Sequence, residues 1–86
     1  MAYRIDLTAA ARRDLRDLPP VTLRRVDVRI LALADMPRPP GAEKLTDREG
    51  LYRLRVGDYR ILYQVDDTRQ VVTVARVRHR RESYRR

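Results

Sequence analysis

Arginine is the residue type in this chain best suited to chemistry, and it is concentrated in the second half of the sequence. Residues 44–86 hold twelve lysines and arginines against six acids, whereas residues 1–43 hold eight arginines against six acids. Only Lys44 is a lysine. The arginine side chain is a planar fork that binds phosphate through two hydrogen bonds and stacks on bases, which lysine cannot do. The net charge of +8 therefore indicates an anionic partner such as nucleic acid.

Three of these arginines are spaced to share one face of a β-hairpin. Residues 51–56 and 59–65 alternate between apolar and polar side chains, and Gly57-Asp58 between them is a two-residue turn signal. Because side chains alternate between the two faces of a sheet, this turn separates the arginines from an apolar face. The predicted arginine face comprises Arg53, Arg55 and Arg60. The predicted apolar face comprises Tyr52, Leu54, Val56, Tyr59, Ile61, Tyr63 and Val65.

The predicted register brings like charges together, which favours a bound anion. Arg55 lies opposite Arg60, and like charges directly across a strand pair are destabilising. A five-residue turn before the next strand would add Arg76, roughly opposite Arg60, although a slip of one residue reverses its side. The competing interpretation is that these arginines extend into solvent or pair with nearby acids. Their convergence on one face favours a phosphate site.

The C-terminal segment adds further candidates for chemistry. It leaves the last predicted strand directly, so His79 and Arg80 are expected to begin within reach of the arginine face. Histidine titrates near neutral pH, which makes His79 the natural candidate for proton transfer. Tyr84 could stack on a nucleobase or act as a weak acid. Outside this segment, Glu49, in the loop before the second predicted strand, is a lower-ranked candidate for the general base. The competing interpretation is a surface histidine in a basic tail.

The elements that position these residues follow from a change in apolar periodicity along the chain. Thr8 is a good N-cap for the alanine-rich run after it, and Pro19-Pro20 stops that first helix. Beyond the prolines of residues 36–41 the spacing changes from helical to alternating. The predicted elements are a strand at 3–7, helices at about 9–18 and 21–34, and strands at 51–56, 59–65 and 70–77. This order, β-α-α-β-β-β, predicts an α+β fold with an N-terminal helical hairpin packed on an antiparallel sheet.

Length and composition exclude several classes of protein. A chain of 86 residues suits one domain, residues 1–86, and the absence of cysteine excludes disulfides and thiolate metal sites. A single histidine argues against a zinc site, so neither a metal nor a cofactor is expected. No apolar run reaches about 18 residues and no signal peptide opens the chain, which predicts a cytoplasmic protein without a membrane partner. Glycine-rich phosphate loops, Ser-His-Asp sets and paired catalytic carboxylates are absent.

The sequence resembles the RelE family of bacterial toxins, within the RelE/ParE superfamily. The matching stretches are KLTDREGLYRLRVGDYRILYQV at 44–65 and VARVRHRRESYR at 74–85. The N-terminal YRIDLTAAARRDLRDLP also fits the first strand and first helix of the family. Together these stretches cover nearly the whole chain, in the order and at the length typical of a RelE-like toxin domain.

The resemblance implies a ribosome-dependent endoribonuclease, or mRNA interferase, that inhibits translation by cutting mRNA. A ribose 2′-OH attacks the adjacent phosphate, giving a 2′,3′-cyclic phosphate and a 5′-OH without a metal ion. By this resemblance, the residues of this chain that correspond to the family's site are Arg53, Arg55, Arg60, Arg80 and Tyr84. Well-studied members have lysines at the first two positions. Arginine cannot be deprotonated in proteins, so these two can clamp phosphate but cannot act as a base.

The resemblance also implies the partners, and two other functions stay open. The expected partners are a small acidic RelB-like antitoxin, the ribosome and mRNA, with operator DNA contacted through the antitoxin. A ParE-like toxin would share the fold but inhibit DNA gyrase, and such proteins generally lack the full catalytic set. A non-catalytic nucleic-acid-binding module would explain the charge but not the family resemblance.

Overall fold

The structure, a computed structural model, describes residues 2–45 and 50–80. Its elements are β1 (Arg4–Leu7), α1 (Ala9–Arg16), α2 (Pro20–Ala32), β2 (Glu43–Lys44), β3 (Leu51–Val56), β4 (Tyr59–Asp66) and β5 (Val71–His79). The strands form one sheet in the order β1-β5-β4-β3-β2. Among the described strands, β1 and β5 alone pair in parallel, and the other neighbours are antiparallel. The predicted α+β fold, with a helical hairpin packed on a mostly antiparallel sheet, is confirmed.

The helical hairpin begins at the residues expected to start it. The Thr8 hydroxyl accepts a hydrogen bond from the Ala11 N–H at 3.0 Å, which caps α1. Pro20 occupies the first turn of α2. Both helices end two residues before the predicted positions, because their last N–H groups turn to carbonyls three residues back, as Leu18 does to Leu15. Neither described helix is long and apolar enough to cross a membrane.

The core lies between the helices and one face of the sheet. The helices contribute Ala11, Val26, Ile30 and Leu33, all buried. The sheet contributes Leu54, Val56, Ile61, Tyr63, Val65, Val72, Val74 and Val77. The predicted apolar face of the hairpin is therefore confirmed, with Tyr52 and Tyr59 packed against its margin. The Tyr63 hydroxyl donates to the Pro37 carbonyl at 2.8 Å, which fastens the proline-rich loop, and burial raises the Tyr63 pKa to about 12.

The short strand β2 was not predicted from the sequence. It holds only Glu43 and Lys44, both polar and exposed, so no alternation marks it. It pairs with β3, with Glu43 opposite Arg53, and the Leu45 N–H donates to the Leu51 carbonyl at 2.9 Å just beyond. The consequence for the site is that a carboxylate lies beside the arginine face.

Candidate nucleic-acid interface

The β3–β4 hairpin pairs in the predicted register. The pairs at the turn are Val56 with Tyr59, Arg55 with Arg60, Leu54 with Ile61 and Arg53 with Leu62. Leu54 and Ile61 are buried against the helices, at 1% and 0% exposure. Because neighbours along a strand point to opposite faces, the three arginines of the arginine face lie on the side away from the helices.

Strand β5 adds a third arginine to the pair at the turn, but not the predicted one. Arg78 lies opposite Arg60, and Arg76 lies opposite Leu62. The prediction that Arg76 pairs with Arg60 is therefore wrong by two residues. The turn at 67–70 is one residue shorter than predicted, and a bulge at Ala75 inserts one more residue into β5. Arg55, Arg60 and Arg78 form a line across three strands, which we call the arginine row.

Arg76 is bound by α1 instead. The Arg76 Nε donates to Asp14 Oδ2 at 2.8 Å, and the Val77 N–H donates to the same oxygen at 2.8 Å. Burial raises the pKa of the Asp14 carboxyl, but the hydrogen bonds from Arg76 and Val77 outweigh it and hold that pKa below its ordinary value. The contact neutralises one cation and joins α1 to the part of β5 that extends past β1.

We expect Asp14→Ala to lower the free energy of unfolding by about 1–3 kcal/mol, because it removes the acceptor of both donors. Since the folded pKa lies below the unfolded one, the carboxylate's stabilisation is complete above the unfolded value. It is lost as the pH falls through the folded value. Urea denaturation should therefore separate variant from wild type at neutral pH and bring them together in acid. The control is Asp17→Ala, at the exposed C-cap position that follows α1. Equal stability of Asp14→Ala and wild type at neutral pH would contradict the assignment.

A pocket of about 100 Å³ opens at the turn, beside the arginine row. It is lined by Arg55, Gly57, Asp58, Tyr59, Arg60 and Arg80. Three of its lining side chains are guanidinium groups, which suits an anion. The Arg80 backbone N–H donates to the Asp58 carbonyl at 2.7 Å, which fixes the end of β5 against the turn. Arg80, separated by some twenty residues from the hairpin arginines, thus lies with Arg55 and Arg60.

Arg60 is the buried member of the arginine row. It is only 9% exposed, whereas Arg55 is exposed. A guanidinium keeps its charge when buried, and removing a charge from water costs several kcal/mol unless other groups stabilise it. Arg55 and Arg78 on the neighbouring strands add like charge at directly opposed positions. This concentration of positive charge favours an anion at the pocket.

Arg53 lies at the margin of the arginine face, in contact with Glu43. Its Nε donates to Glu43 Oε1 at 3.2 Å, and its Nη2 donates to the same oxygen. The Arg53 guanidinium holds the pKa of Glu43 below its usual value, and the more distant charges of Arg55 and Arg60 lower it further. The field of the arginine face therefore extends to the edge strand.

His79 lies on the other side of the sheet. It pairs with Tyr59, and the two rings meet edge to face with centroids 5.0 Å apart and planes at 88°. Alternation along β5 puts Arg78 and His79 on opposite faces, so His79 does not share the arginine face. It contacts Tyr59, which lines the pocket. Tyr84 and Glu49 lie outside the described residues.

Comparison with known proteins identifies the family. The protein-family model described as ParE toxin of type II toxin-antitoxin system, parDE, matches residues 5–84 of this chain. The chain is 39% identical to toxin RelG of Mycobacterium tuberculosis in an alignment 89 residues long, which covers 100% of this chain and 100% of that toxin. These matches define the class as toxins of type II toxin–antitoxin systems, and the chain belongs to the RelE family within the RelE/ParE superfamily.

Solved structures agree with this assignment. The toxin–antitoxin complex RelBE2 of M. tuberculosis contains a chain with a TM-score of 0.79 and 36% identity, and the match covers 92% of each chain. A mutant of the E. coli toxin RelE in the free state gives a TM-score of 0.82 at 27% identity, covering 96% of this chain and 88% of that one. The resemblance to RelE toxins inferred from the sequence is confirmed.

Proposed function

We propose that this toxin is a ribosome-dependent endoribonuclease that cuts mRNA, with the arginine row and Arg80 holding the scissile phosphate. The observation that carries the proposal is the convergence of Arg55, Arg60 and Arg80 on one pocket at the hairpin turn. The ribose 2′-OH gives up its proton to a base as its oxygen attacks the adjacent phosphorus, the bond from phosphorus to the 5′ oxygen breaks, and that leaving oxygen takes up a proton. The products are a 2′,3′-cyclic phosphate and a 5′-OH.

The arginines contribute electrostatic stabilisation. Negative charge builds up on the phosphate oxygens as the 2′ oxygen attacks, and cations already in position stabilise it without rearranging. Arg60 suits this role because burial restricts its side chain. The exposed Arg55 and Arg80 are free to follow the RNA backbone as it enters. Arg53, at the margin, is assigned to a neighbouring phosphate.

Proton transfer must come from other groups, since arginine cannot be deprotonated in proteins. We assign it to Tyr84 or to groups of the ribosome, which also orients the substrate. His79, the candidate from the sequence, is assigned instead to supporting Tyr59 at the wall of the pocket. This division of roles suits an enzyme with few acid or base side chains of its own.

We expect His79→Phe to retain cleavage within about threefold of wild type, because general acid–base residues contribute about 100-fold or more and this ring is assigned to packing. Phenylalanine keeps an aromatic ring against Tyr59, whereas His79→Ala removes it and should lower stability slightly. The measurement is the rate of mRNA cleavage on ribosomes across a pH series. A loss above 100-fold in a folded His79→Phe toxin would return the proton-transfer role to His79.

The proposed partner in the cell is a small acidic antitoxin of the RelB kind, which the net charge of +8 would attract. The related M. tuberculosis structure is a toxin–antitoxin complex. The antitoxin would cover the arginine face and supply any contact with operator DNA. Its gene is expected next to the toxin gene, and co-expression should restore growth and yield a co-purifying complex. A neighbouring product that neither binds nor restores growth would contradict this partnership.

Gyrase inhibition is the second candidate function, because the matched family model is named for ParE. The two candidates are separated in one culture after a short induction of the toxin. Primer extension should find new 5′ ends within translated mRNA, with no increase in gyrase-linked DNA breaks. Gyrase-linked breaks with intact mRNA would replace the nuclease proposal with the ParE-like one.

A further inference from the structure

We propose that Glu43 is an internal competitor of RNA: its carboxylate occupies Arg53 in the free toxin and must be displaced before a phosphate can bind there. This inference rests on the proposed phosphate-binding function of the arginine face. It assigns to the arginine face one residue that weakens RNA binding, in addition to the arginines that promote it. The residue lies on β2, which the sequence did not predict.

The backbone delivers Glu43 to the arginine face. Glu43 and Arg53 are directly opposed residues of two antiparallel strands, so their side chains share one face of the sheet. The hydrogen bond from the Leu45 N–H to the Leu51 carbonyl, at 2.9 Å, continues the pairing past β2. Strand pairing therefore places the Glu43 carboxylate beside Arg53.

Glu43 uses the donors that a phosphate would use. The Nε and Nη2 of Arg53 both donate to Glu43 Oε1. Phosphate and carboxylate oxygens accept from the guanidinium fork in the same way, so the two anions exclude each other at these donors. Glu43 also responds to the charges of Arg55 and Arg60, which contribute to its lowered pKa. It therefore opposes an incoming phosphate across the whole arginine face.

The contact is weak enough to be displaced. The side chains of Glu43 and Arg53 are 61% and 33% exposed. Exposed ion pairs add little to stability, and salt screens them further. An RNA backbone engages several arginines at once, so it can replace the single Glu43 contact. The expected role of Glu43 is to weaken RNA binding that engages Arg53 alone, while RNA that engages several arginines at once can still bind.

The experiment measures binding of a fluorescent single-stranded 2′-O-methyl RNA, which cannot be cleaved, by fluorescence anisotropy at several salt concentrations. Glu43→Gln should bind about two- to fivefold more tightly than wild type at low salt. The slope of log binding constant against log salt concentration should be steeper by roughly 0.7, which is the change expected when one more cation contacts a single strand. Unchanged or weaker binding by a folded Glu43→Gln toxin would overturn the proposal, since a carboxylate that only orients Arg53 gives a loss.

Two controls separate this contact from a general change in charge. Asp67→Asn removes the same charge from a similar ion pair, with Arg38, at the turn between β4 and β5. Its affinity should stay within about 1.5-fold of wild type, because Asp67 lies five residues along the chain from Leu62, the partner of Arg53. At about 3.4 Å per residue that separation exceeds a Debye length of about 10 Å. Glu43→Gln should also lose most of its gain when Arg53→Gln is already present. An equal gain in Asp67→Asn, or a full gain without Arg53, would overturn the proposal.

The same assay distinguishes failure of this inference from failure of the proposed function. Arg60→Met should weaken binding if the arginine face holds phosphate at all. If Arg60→Met binds as wild type does, the phosphate site itself is wrong and this inference falls with it. If Arg60→Met weakens binding but Glu43→Gln does not tighten it, only the competition by Glu43 is wrong.

Discussion

Replacing Arg60 with methionine is expected to abolish growth inhibition and to slow mRNA cleavage by about 100- to 1000-fold, the range seen when one fixed donor to a developing anion is lost. Arg60 is the buried centre of the arginine row, with Arg55 and Arg78 opposite it on either side. Methionine keeps much of the side-chain volume and removes only the charged group. The measurement is cleavage by the purified variant on programmed ribosomes, beside a growth assay.

The same substitution should leave the toxin folded, with one cooperative thermal transition, because it also removes like charge from beside Arg55 and Arg78. The control is Arg4→Met, which removes an arginine from β1, where it pairs with Asp6 at 3.1 Å. That variant should cut as wild type does. A folded Arg60→Met toxin that stays fully toxic would show that the phosphate clamp is misassigned.

Gly50→Ala is expected to lower the free energy of unfolding by about 2–4 kcal/mol, the largest stability loss among these predictions. Gly50 has φ +70°, in the left-handed region, and an added Cβ would lie 2.6 Å from the Val65 carbonyl oxygen. The Gly50 carbonyl accepts from the Val65 N–H at 2.7 Å. Both contacts are made to the Val65 backbone, so no side-chain rotation relieves the clash and the end of the β3–β4 pairing would have to open.

Gly57→Ala is the matched control for this prediction. Gly57 also has a left-handed φ, +60°, but an added Cβ would meet nothing within 4 Å. The cost there should be only the conformational one, about 1 kcal/mol. Denaturant melts give the free energy of unfolding of each variant. The difference between the two losses is the cost of the close backbone approach at Gly50. Equal losses at the two glycines would contradict the tight backbone contact.

The hairpin that carries the arginine face could be predicted because its determinants are local. Gly57-Asp58 sets the turn, and the turn sets the register of every pair beyond it. Alternation then assigns each side chain to a face with no knowledge of the rest of the chain. Strict alternation would also have placed His79 on the opposite face from Arg76, because the two residues are three positions apart.

The remaining parts of the site depend on contacts between distant residues. The bulge at Ala75, which together with the shorter turn puts Arg78 rather than Arg76 opposite Arg60, has no signature in the residues around it. The capture of Arg76 by Asp14 depends on how α1 packs near the end of β5. Such features are set by tertiary packing, which periodicity along the sequence does not encode.

Cleavage of mRNA by purified toxin on reconstituted ribosomes tests the central claim most directly. The ribosomes hold a defined end-labelled mRNA, and the products are sized and their ends identified. We expect cuts in the codon at the decoding site, with 2′,3′-cyclic phosphate and 5′-OH ends, that require ribosomes and disappear with Arg60→Met. Intact mRNA after incubation with folded wild-type toxin, or equal cutting by Arg60→Met, would contradict the assignment of the arginine face as a nuclease site.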